Sequence, residues 1–348
     1  MQNNRTISYG QALHEALTQE MEQDKSVFVM GQGVDDAIGQ YGTTLDLHKK
    51  FGADRNFDTP IAEDAMTGVA IGAALAGMRP VHVHQRMDFL MLCMNQLINM
   101  AAKYHYVSDG QMTVTMVVRT SIGRSWGQGP QHSQAPYAAF MHVPGIKILA
   151  PTTPHDAKGG LIAAIRNNNP VIFIEHRLLF ANKGLVPTDP YEIEIGKARV
   201  LREGTDITLI GMSYTVTDCL RAATLLAEVG ISAEVIDLLS LAPLDMDTIT
   251  KSVKKTGRLI TVDNSWASCG AGAEIISRLF EAQNQNSFQA ARMGFAPTTC
   301  PTTRNLEDVF YPSPTSVAEK AATLCGIEAS TLPTAGEQKE LEEFRGPF

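Results

Sequence analysis

The sequence contains no long apolar run, and this absence restricts the class of protein it encodes. No run reaches the roughly 18 apolar residues that a membrane-spanning helix requires, so we expect no transmembrane segment. Residues 1–17, MQNNRTISYGQALHEAL, also lack the apolar stretch of a signal peptide. We therefore expect a cytoplasmic protein.

Cysteine is scarce. The chain has five cysteines, an odd number, and no two of them form a CxxC motif. This pattern argues against a disulfide framework. We expect reduced, buried thiols at Cys93, Cys219, Cys269, Cys300 and Cys325. The formal net charge of −8 argues against nucleic acid or an anionic membrane as the main partner.

Segments of strand and helix length alternate along the chain. With 44% hydrophobic residues, its 348 residues can build sizeable cores in about two domains. The pattern predicts strands at 26–30, 80–84, 112–118, 146–150, 171–175, 207–210, 233–237 and 258–263. It predicts helices at 9–21, 45–51, 89–106, 154–167, 215–229, 246–256 and 272–281. This alternation favours an α/β fold in which helices cover both faces of parallel sheets.

A segment rich in proline, glycine and charge, 181–204, separates the two halves. We place the first domain at 1–190, a linker at 191–204 and a smaller α/β domain at 205–326. The remaining residues, 327–348, are polar, and we expect them to form a peripheral tail.

Residues 58–80, DTPIAEDAMTGVAIGAALAGMRP, combine an apolar helix with carboxylates at its start. Pro60 biases Thr59 towards an extended backbone, which puts Glu63 in or near the first helical turn. A carboxylate there has a structural use, because it interacts favourably with the helix dipole and can cap free N–H groups. Asp64 suits that use well, whereas a chemical role for Glu63 stays open.

The glycine-rich loop Arg119–Gln134 follows a predicted strand and carries His132. Loops at the carboxyl ends of parallel strands commonly hold sites, and a histidine there can transfer protons near neutral pH. The alternative is an ordered surface loop in which His132 only forms hydrogen bonds.

Three further patterns each have two interpretations. His82 and His84 share one face of a strand, a spacing that suits a metal but lacks an evident third ligand. The segment CGAGAE, 269–274, precedes a helix and serves either phosphate binding or close packing. The segment AAIRNNNP, 163–170, either ends a helix in a turn or presents carbonyl oxygens to a monovalent cation.

Many motifs in one order resemble a known family. They read DTPIAE, GAALAGMRPV, NQLINMAAKYHY, QHSQ, HVPGIKILAPTTPHDAKGGL, RNNNPVIFIE and PLDMDTITKSVKKTGRLITVD. This order is similar to that of the beta subunits of thiamine-diphosphate-dependent 2-oxoacid dehydrogenases, with pyruvate dehydrogenase beta subunits nearest, over about residues 5–326. The resemblance implies a parallel-sheet pyrimidine-binding transketolase-like domain, a smaller transketolase C-terminal-like α/β domain, and oxidative decarboxylation of a 2-oxoacid, most simply pyruvate.

The resemblance assigns roles to single residues. The glutamate of DTPI-x-E, here Glu63, hydrogen-bonds N1′ of the cofactor's aminopyrimidine and favours the imino tautomer that removes the C2 proton. His132 corresponds to an active-site histidine that handles protons or guides acyl transfer to a lipoyl group. Gln32 and Met87 correspond to positions beside the cofactor, and Met87 replaces an aromatic residue.

The resemblance also implies metals and partners. Family potassium ligands, largely backbone carbonyls, correspond to Met116, Ala164, Ile165, Asn167 and Asn169. The chain lacks the GDG motif, followed by NN, that holds magnesium and the diphosphate of the cofactor. In the family an alpha subunit carries that motif, which implies a shared site in an α2β2 assembly and a lipoyl transacylase core as a further partner.

The sequence departs from the family at acidic positions. The usual GEEV is GQGV here, with Gln32 and Gly33, and Val83 and Asn95 replace Glu and Asp. Carboxylates thought to pass protons between the family's active sites are therefore missing. Two alternatives follow. The chain could serve an enzyme that transfers the activated aldehyde to another acceptor, as transketolases or acyloin-forming enzymes do, or it could be a non-catalytic scaffold subunit.

Overall fold

The alternation of strands and helices is realised in two mainly parallel sheets. The computed structural model describes residues 4–124, 127–282 and 287–333. Of these, residues 4–123 and 139–195 form a first compact unit, and residue 124, residues 127–138 and those after 195 form a second. The division after Ile195 falls inside the predicted linker, while the predicted domain limits stay predictions.

The elements up to residue 187 begin and end as follows. The strands are β1 (Asn4–Ser8), β2 (Val27–Gly31), β3 (Asn56–Asp58), β4 (Arg79–His84), β5 (Val117–Ile122), β6 (Lys147–Leu149), β7 (Val171–His176) and β8 (Lys183–Pro187). The helices are α1 (Tyr9–Gln23), α2 (Leu47–Phe51), α3 (Glu63–Leu75), α4 (Tyr104–Val107), α5 (Tyr137–Met141) and α6 (Pro154–Arg166).

Parallel strands of the first unit lie in the order β6, β7, β5, β4, β2, β3. Strands β5 and β7 are buried along their whole length, as valine- and isoleucine-rich strands covered on both faces should be. Because the strands run in one direction, their carboxyl ends meet at one edge. Gly31, Asp58 and His84 end three neighbouring strands there.

The predicted helix at 89–106 is not one regular helix. A 3₁₀ helix covers Met87–Cys93, a π-helix covers Gln96–Ala101, and α4 is a separate short turn. The Ala102 N–H donates to the Leu97 carbonyl (3.0 Å), a bond that spans five residues. Apolar spacing predicted a helix here but not this change of helix type, which is common at functional sites, and Leu92 and Tyr106 of the segment are exposed.

Two other predicted segments differ from the structure because the strands with which they pair lie far away in the sequence. The predicted strand 112–118 becomes β5, which begins at Val117, where pairing with Val81 of β4 starts. The Pro/Gly-rich segment 181–204 contains β8, which pairs antiparallel with β1, and a strand at Arg199–Arg202. Composition alone does not reveal such long-range pairing.

The second unit repeats the α/β pattern. Its strands are β9 (Arg199–Arg202), β10 (Ile207–Gly211), β11 (Ala233–Asp237), β12 (Ser240–Ala242), β13 (Arg258–Trp266) and β14 (Gln289–Phe295). Its helices are α7 (Tyr214–Ala227), α8 (Met246–Thr256), α9 (Ala271–Ala282), α10 (Arg304–Phe310) and α11 (Pro314–Leu324). Five strands lie in the order β14, β13, β10, β11, β9, and only β9 pairs antiparallel.

The core of the second unit extends into the predicted tail. Buried residues of β10, β11, β13, α7 and α11 form one apolar cluster. Ile327 and Leu332 pack against it, so the expectation that everything after residue 326 is peripheral is wrong for these two residues. Residues 334–348 lie outside the described part of the chain.

The cysteines are free thiols, but not all of them are buried. All five cysteines are free, and Cys93, Cys219 and Cys300 are buried as expected. Cys269 is exposed and Cys325 half-buried, so the expectation of burial is wrong there. Among the described residues, no helix has the length and apolarity needed to cross a membrane.

Candidate active site

Loops after neighbouring strands of the first unit lie against one another. The Gly33 N–H, just after β2, donates to Asp58 Oδ1 at the end of β3 (2.8 Å). Gln85 Nε2, just after β4, donates to the backbone carbonyl of Gln32 (3.1 Å). These bonds join the segments that lead into α3 and into the 3₁₀ helix. They do so at the sheet edge where parallel α/β folds bind ligands.

Glu63 is the first residue of α3, and the helix does not use its carboxylate. The N-cap residue, Ala62, offers no side-chain cap, and Asp64 Oδ1 accepts from the Ala65 N–H (2.7 Å). In the part of the chain that the structure describes, the half-buried Glu63 carboxylate has no hydrogen bond or ion pair. It is therefore available to a ligand, which the purely structural interpretation would not require.

Met87 and Gln32 lie at the same edge. Met87 begins the 3₁₀ helix after β4 and is fully buried. Gln32 directly follows β2, is half-buried, and its N–H donates to the Val83 carbonyl (3.4 Å). Burial, with a smaller contribution from the nearby Glu63 carboxylate, raises the pKa of the Cys93 thiol to about 11. This edge thus combines apolar surroundings with an uncommitted carboxylate.

One turn along α3, Thr67 contacts a buried histidine pair. Its Oγ1 lies 3.3 Å from His84 Nε2, and the rings of His82 and His84 are 4.3 Å apart. Burial lowers the pKa of His82 to about 4 and that of His84 well below its ordinary value, so both rings are neutral at pH 7. The described residues contain no group of three His, Cys, Asp or Glu able to hold a metal. The metal interpretation of this pair finds no support.

The loop that carries His132 belongs to the second unit. His132 is half-buried, and Ser133 next to it is buried. Gly127 and Gly129 have positive φ angles, and a Cβ at Gly127 would lie 2.4 Å from the Thr302 carbonyl. The glycines that suggested a binding loop therefore serve close packing. The structure places Glu63, Met87 and Gln32 in one unit and His132 in the other.

The same loop includes GRSWG, residues 123–127, which has the spacing of the serine-hydrolase motif G-x-S-x-G. That motif requires a strand, a tight turn and an immediate helix. Here β5 ends at Ile122, and among the described residues the next helix begins at Tyr137. Ser125 lies outside the described residues. The surroundings do not fit a nucleophile elbow.

A buried ion pair, which sequence patterns did not reveal, orders the loop after β2. Arg119 Nε donates to Glu175 Oε1 (2.6 Å), and Arg119 Nη2 donates to Thr43 Oγ1 (3.0 Å). Arg119 and Glu175 are 1% and 2% exposed, which makes the pair structural rather than solvent-accessible. The sequence indicates this pair only by one positive and one negative residue, Arg119 and Glu175, in two mainly apolar strands.

The carbonyls expected to bind potassium gather near the end of α6, and four of the five, those of Met116, Ala164, Ile165 and Asn167, are already hydrogen-bonded. Arg79 Nη1 donates to the carbonyls of Ile165 (2.9 Å) and Asn167 (3.2 Å). The Ala164 carbonyl accepts from the Asn167 N–H (3.2 Å). Met116 accepts from Val171, and Asn167 Oδ1 accepts from the Asn169 N–H (3.0 Å). The oxygen donors suit potassium, although each of these four offers only its remaining lone pair.

The CGAGAE segment is a packing device. A Cβ at Gly270 would lie 2.6 Å from the Trp266 carbonyl, and one at Gly272 would lie 2.2 Å from Thr261 Oγ1. The Asp263 carboxyl group lies near the backbone N–H groups at the start of α9 without a regular hydrogen bond to them, and burial raises its pKa to about 7. A protein carboxylate thus occupies the place that the phosphate interpretation would need.

Two α/β units in this order, the first with a free carboxylate at the start of a helix, define a transketolase-like protein. The family model of the transketolase pyrimidine-binding domain matches residues 5–183, and that of the transketolase C-terminal domain matches residues 196–317. The split-gene transketolase crystallised as an inactive beta4 tetramer has a similar fold, with a TM-score of 0.77 at 19% identity, over 92% of this chain and 99% of that one.

Relatives with curated names show which kind of transketolase-like protein this chain resembles. The beta subunit of acetoin:2,6-dichlorophenolindophenol oxidoreductase of Cupriavidus necator is 40% identical over 91% of this chain and 97% of its own length. The mitochondrial pyruvate dehydrogenase E1 beta subunit of Bos taurus is 39% identical over 88% and 87%. The chain belongs to the beta subunits of the thiamine-diphosphate-dependent 2-oxoacid dehydrogenase family. The resemblance and the predicted α/β fold are confirmed, and the chain is a subunit of a heteromeric oxidoreductase.

Proposed function

We propose that this chain completes a thiamine diphosphate site together with an alpha subunit, in an α2β2 enzyme that decarboxylates a 2-oxoacid, pyruvate most simply. The observation that carries the proposal is the Glu63 carboxylate, half-buried at the start of α3 and without a partner among the described residues. Bound thiamine diphosphate supplies a carbon nucleophile that takes up the 2-oxoacid and stabilises the charge left by decarboxylation.

Glu63 would hold the aminopyrimidine. A carboxylate favours the protonated form of a ring nitrogen, and apolar surroundings such as the buried Met87 strengthen that bond. Gln32, at the end of the neighbouring strand, would help to enclose the ring. His132 would act after the cofactor is seated, by holding or moving a proton during transfer of the acyl group.

The alpha subunit would supply what this chain lacks. The sequence has no GDG motif for magnesium and diphosphate. The described residues contain no metal-binding group of three acidic, histidine or cysteine side chains. Magnesium would therefore be held by the partner. Potassium would bind the carbonyls near Asn167 only if the Arg79 guanidinium, which donates to the carbonyls of Ile165 and Asn167, moved away from them. A cytoplasmic location stays a prediction.

The acceptor is a lipoyl group on a transacylase core in the main proposal. A second candidate, the oxidation of an acyloin such as acetoin, is favoured by the 40% identical relative named as an acetoin oxidoreductase subunit. It is also compatible with the absence of carboxylates at Gln32, Val83 and Asn95. Turnover of the reconstituted enzyme with pyruvate and with acetoin, each with a lipoyl acceptor and with a dye, separates the two candidates.

Calorimetric titration with thiamine diphosphate and magnesium tests the shared site. We expect no binding at micromolar or tighter affinity by this chain alone, and tight binding after an alpha subunit with GDG…NN is added. The alpha subunit alone is the control. Micromolar binding by the isolated chain would contradict the shared-site model.

A further inference from the structure

Arg86 carries a guanidinium that the described part of the chain leaves without a partner. The side chain is half-buried, and its Nη1 atom is inaccessible to solvent. Among the described residues, the guanidinium forms no hydrogen bond and no ion pair. A guanidinium stays charged at all ordinary pH values and offers five N–H donors, so burying part of it costs free energy unless an acceptor pairs with it. An anion that comes from outside this chain would remove that cost.

Other arginines of the first unit have partners within the fold. Arg55 donates to backbone carbonyls, as Arg79 does, and Arg119 forms the buried ion pair with Glu175. Those three guanidinium groups hold segments of the unit together. Arg86 holds no described segment in this way, which leaves its charge available to a ligand.

Arg86 lies at the same sheet edge as Glu63. Residues 76–78 alone join the end of α3 to the start of β4, so the helix and the strand run in opposite directions side by side. The contact between Thr67 and His84 (3.3 Å) shows that they touch. The head of α3 therefore lies at the carboxyl end of β4, and Arg86 follows the last residue of that strand by two positions.

The chain on both sides of Arg86 is held in place. Gln85 Nε2 donates to the Gln32 carbonyl (3.1 Å), and the Gln85 carbonyl accepts from the Ser121 hydroxyl. Met87, on the other side, is fully buried. Arg86 itself has an extended backbone, with φ −142° and ψ 139°. A ligand that binds the guanidinium would therefore not have to order the main chain first, which favours affinity.

We propose that Arg86 is a specificity-determining residue that binds a second anionic group of the 2-oxoacid, most simply a carboxylate. This assignment rests on the proposed function and narrows its substrate from 2-oxoacids in general to acidic ones. A guanidinium can hold a carboxylate by two parallel N–H···O bonds.

The carboxylate next to the reacting carbonyl is the less suitable partner for Arg86. It leaves as CO₂, so a guanidinium bound to it would stabilise the substrate more than the transition state. A second carboxylate keeps its charge through the whole reaction. Arg86 could hold such a group from substrate binding to product release without opposing decarboxylation.

The charges at this edge also suit an anion. The carboxylates that the family carries at the positions of Gln32 and Val83 are missing here, which lowers the repulsion that an anionic group would meet. Glu63 is the remaining carboxylate at the head of α3 without a partner among the described residues, and in the proposed function it is engaged with the aminopyrimidine.

Chemical modification tests the assignment without turnover. Phenylglyoxal reacts with free guanidinium groups, and its rate at Arg86 is measured by mass spectrometry in the complex with the alpha subunit, thiamine diphosphate and magnesium. Glutarate, an unreactive dicarboxylate, should slow the rate about 10-fold at ten times its Kd, since about one site in eleven then stays free. Butyrate, which has one carboxylate, should protect far less, and exposed Arg5 should react equally in all samples.

Two results of this experiment would overturn the proposal. The first is equal protection of Arg86 by glutarate and butyrate, or protection by neither. The second is an Arg86 that reacts in the isolated chain but not in the complex before glutarate is added, because a group of the alpha subunit would then occupy the guanidinium.

Kinetics of the reconstituted complex test the specificity itself. The parent should have a higher kcat/KM with 2-oxoglutarate than with 2-oxopentanoate, which has the same chain length without the second carboxylate. Arg86→Gln should lower this ratio about 10- to 100-fold, mainly through KM, the scale of a hydrogen bond to a charged group. Arg86→Lys should retain more of the ratio, and Arg5→Gln should leave it unchanged.

An unchanged ratio in Arg86→Gln, or a parent that prefers 2-oxopentanoate, would contradict the assignment. If the parent complex turns over no 2-oxoacid, the proposed function fails, and the protection of Arg86 by glutarate still decides whether it binds a second carboxylate.

Discussion

Helices α3 and α9 both begin beside a carboxylate, and these two carboxylates differ in what surrounds them. In the second unit Asp263 is 2% exposed and lies near the N–H groups of Ala271 and Gly272 at the start of α9, although neither of its oxygens makes a regular hydrogen bond. In the first unit Glu63 begins α3, is half-buried, and has no partner among the described residues. Asp263 is therefore enclosed by the fold, whereas the half-buried Glu63 stays available for contacts with a ligand.

Glu63→Gln is the strongest test of this contrast. The amide keeps the shape but removes the charge that favours protonation of the aminopyrimidine, so hydrogen–deuterium exchange at cofactor C2 should slow by roughly 100- to 1,000-fold. That is about 3 to 4 kcal/mol of barrier. Assembly should survive, because a carboxylate at a helix start contributes only about 0.3 to 1 kcal/mol. The exchange is measured by NMR in the reconstituted complex.

The matched control is Asp64→Asn on the same turn, which should leave C2 exchange almost unchanged. Equal exchange rates in Glu63→Gln and the parent would mean that Glu63 is only a structural residue at the start of α3.

His132→Ala asks whether the second unit contributes chemistry as well as structure. Loss of a proton-handling side chain should slow acyl transfer by about 100-fold, because general acid–base groups contribute on that scale. Cofactor affinity should stay the same. Single-turnover transfer to a lipoyl acceptor measures the effect, and exposed His142, changed to Ala, is the control. Unchanged transfer would return His132 to the interpretation as a loop residue that only forms hydrogen bonds.

Asp263→Asn tests the structural role of the buried carboxyl group through the pH dependence of the free energy of unfolding. Burial raises the pKa of Asp263 from 3.8 to about 7, so in this range the folded chain holds a proton that the unfolded chain releases. The stability contributed by this group is therefore fully present below about pH 4. It falls as pH rises to 7, by up to about 1.4 kcal/mol per pH unit. Urea unfolding at several pH values should show that Asn removes this slope. Parallel profiles would mean that Asp263 titrates normally.

Asp245→Ala should have a small effect on the free energy of unfolding. Asp245 is the N-cap of α8, and its Oδ1 accepts from the Thr248 N–H (3.2 Å). Loss of such a cap costs about 1 kcal/mol of unfolding free energy, measurable by urea unfolding of the isolated chain. Glu63→Ala, compared in the same way, should cost less, because no N–H group depends on it. An equal or larger loss there would weaken the contrast between the two helix starts.

Local patterns predicted the elements that carry their own signals. Helix α6 begins at Pro154 with Asp156 in its first turn, and β7 is a run of valine, isoleucine and phenylalanine, so both were placed within a residue or two. The turn at Pro60 likewise located Glu63 at the start of α3. The π-helix at Gln96–Ala101 could not be predicted, because helical apolar spacing does not distinguish i−4 from i−5 bonding.

The sequence by itself determined that two α/β units follow one another and that Glu63 stands at the head of an apolar helix, since periodicity, proline and turn residues act over a few neighbouring positions. Only the tertiary structure decided that the Glu63 carboxylate stays uncommitted while Asp263 is enclosed. It alone decided that β8 pairs with β1, and that the His132 loop packs against Thr302 and Tyr311. The reason is that burial and hydrogen-bond partners come from segments far apart in the chain, and these set the charge and freedom of each side chain.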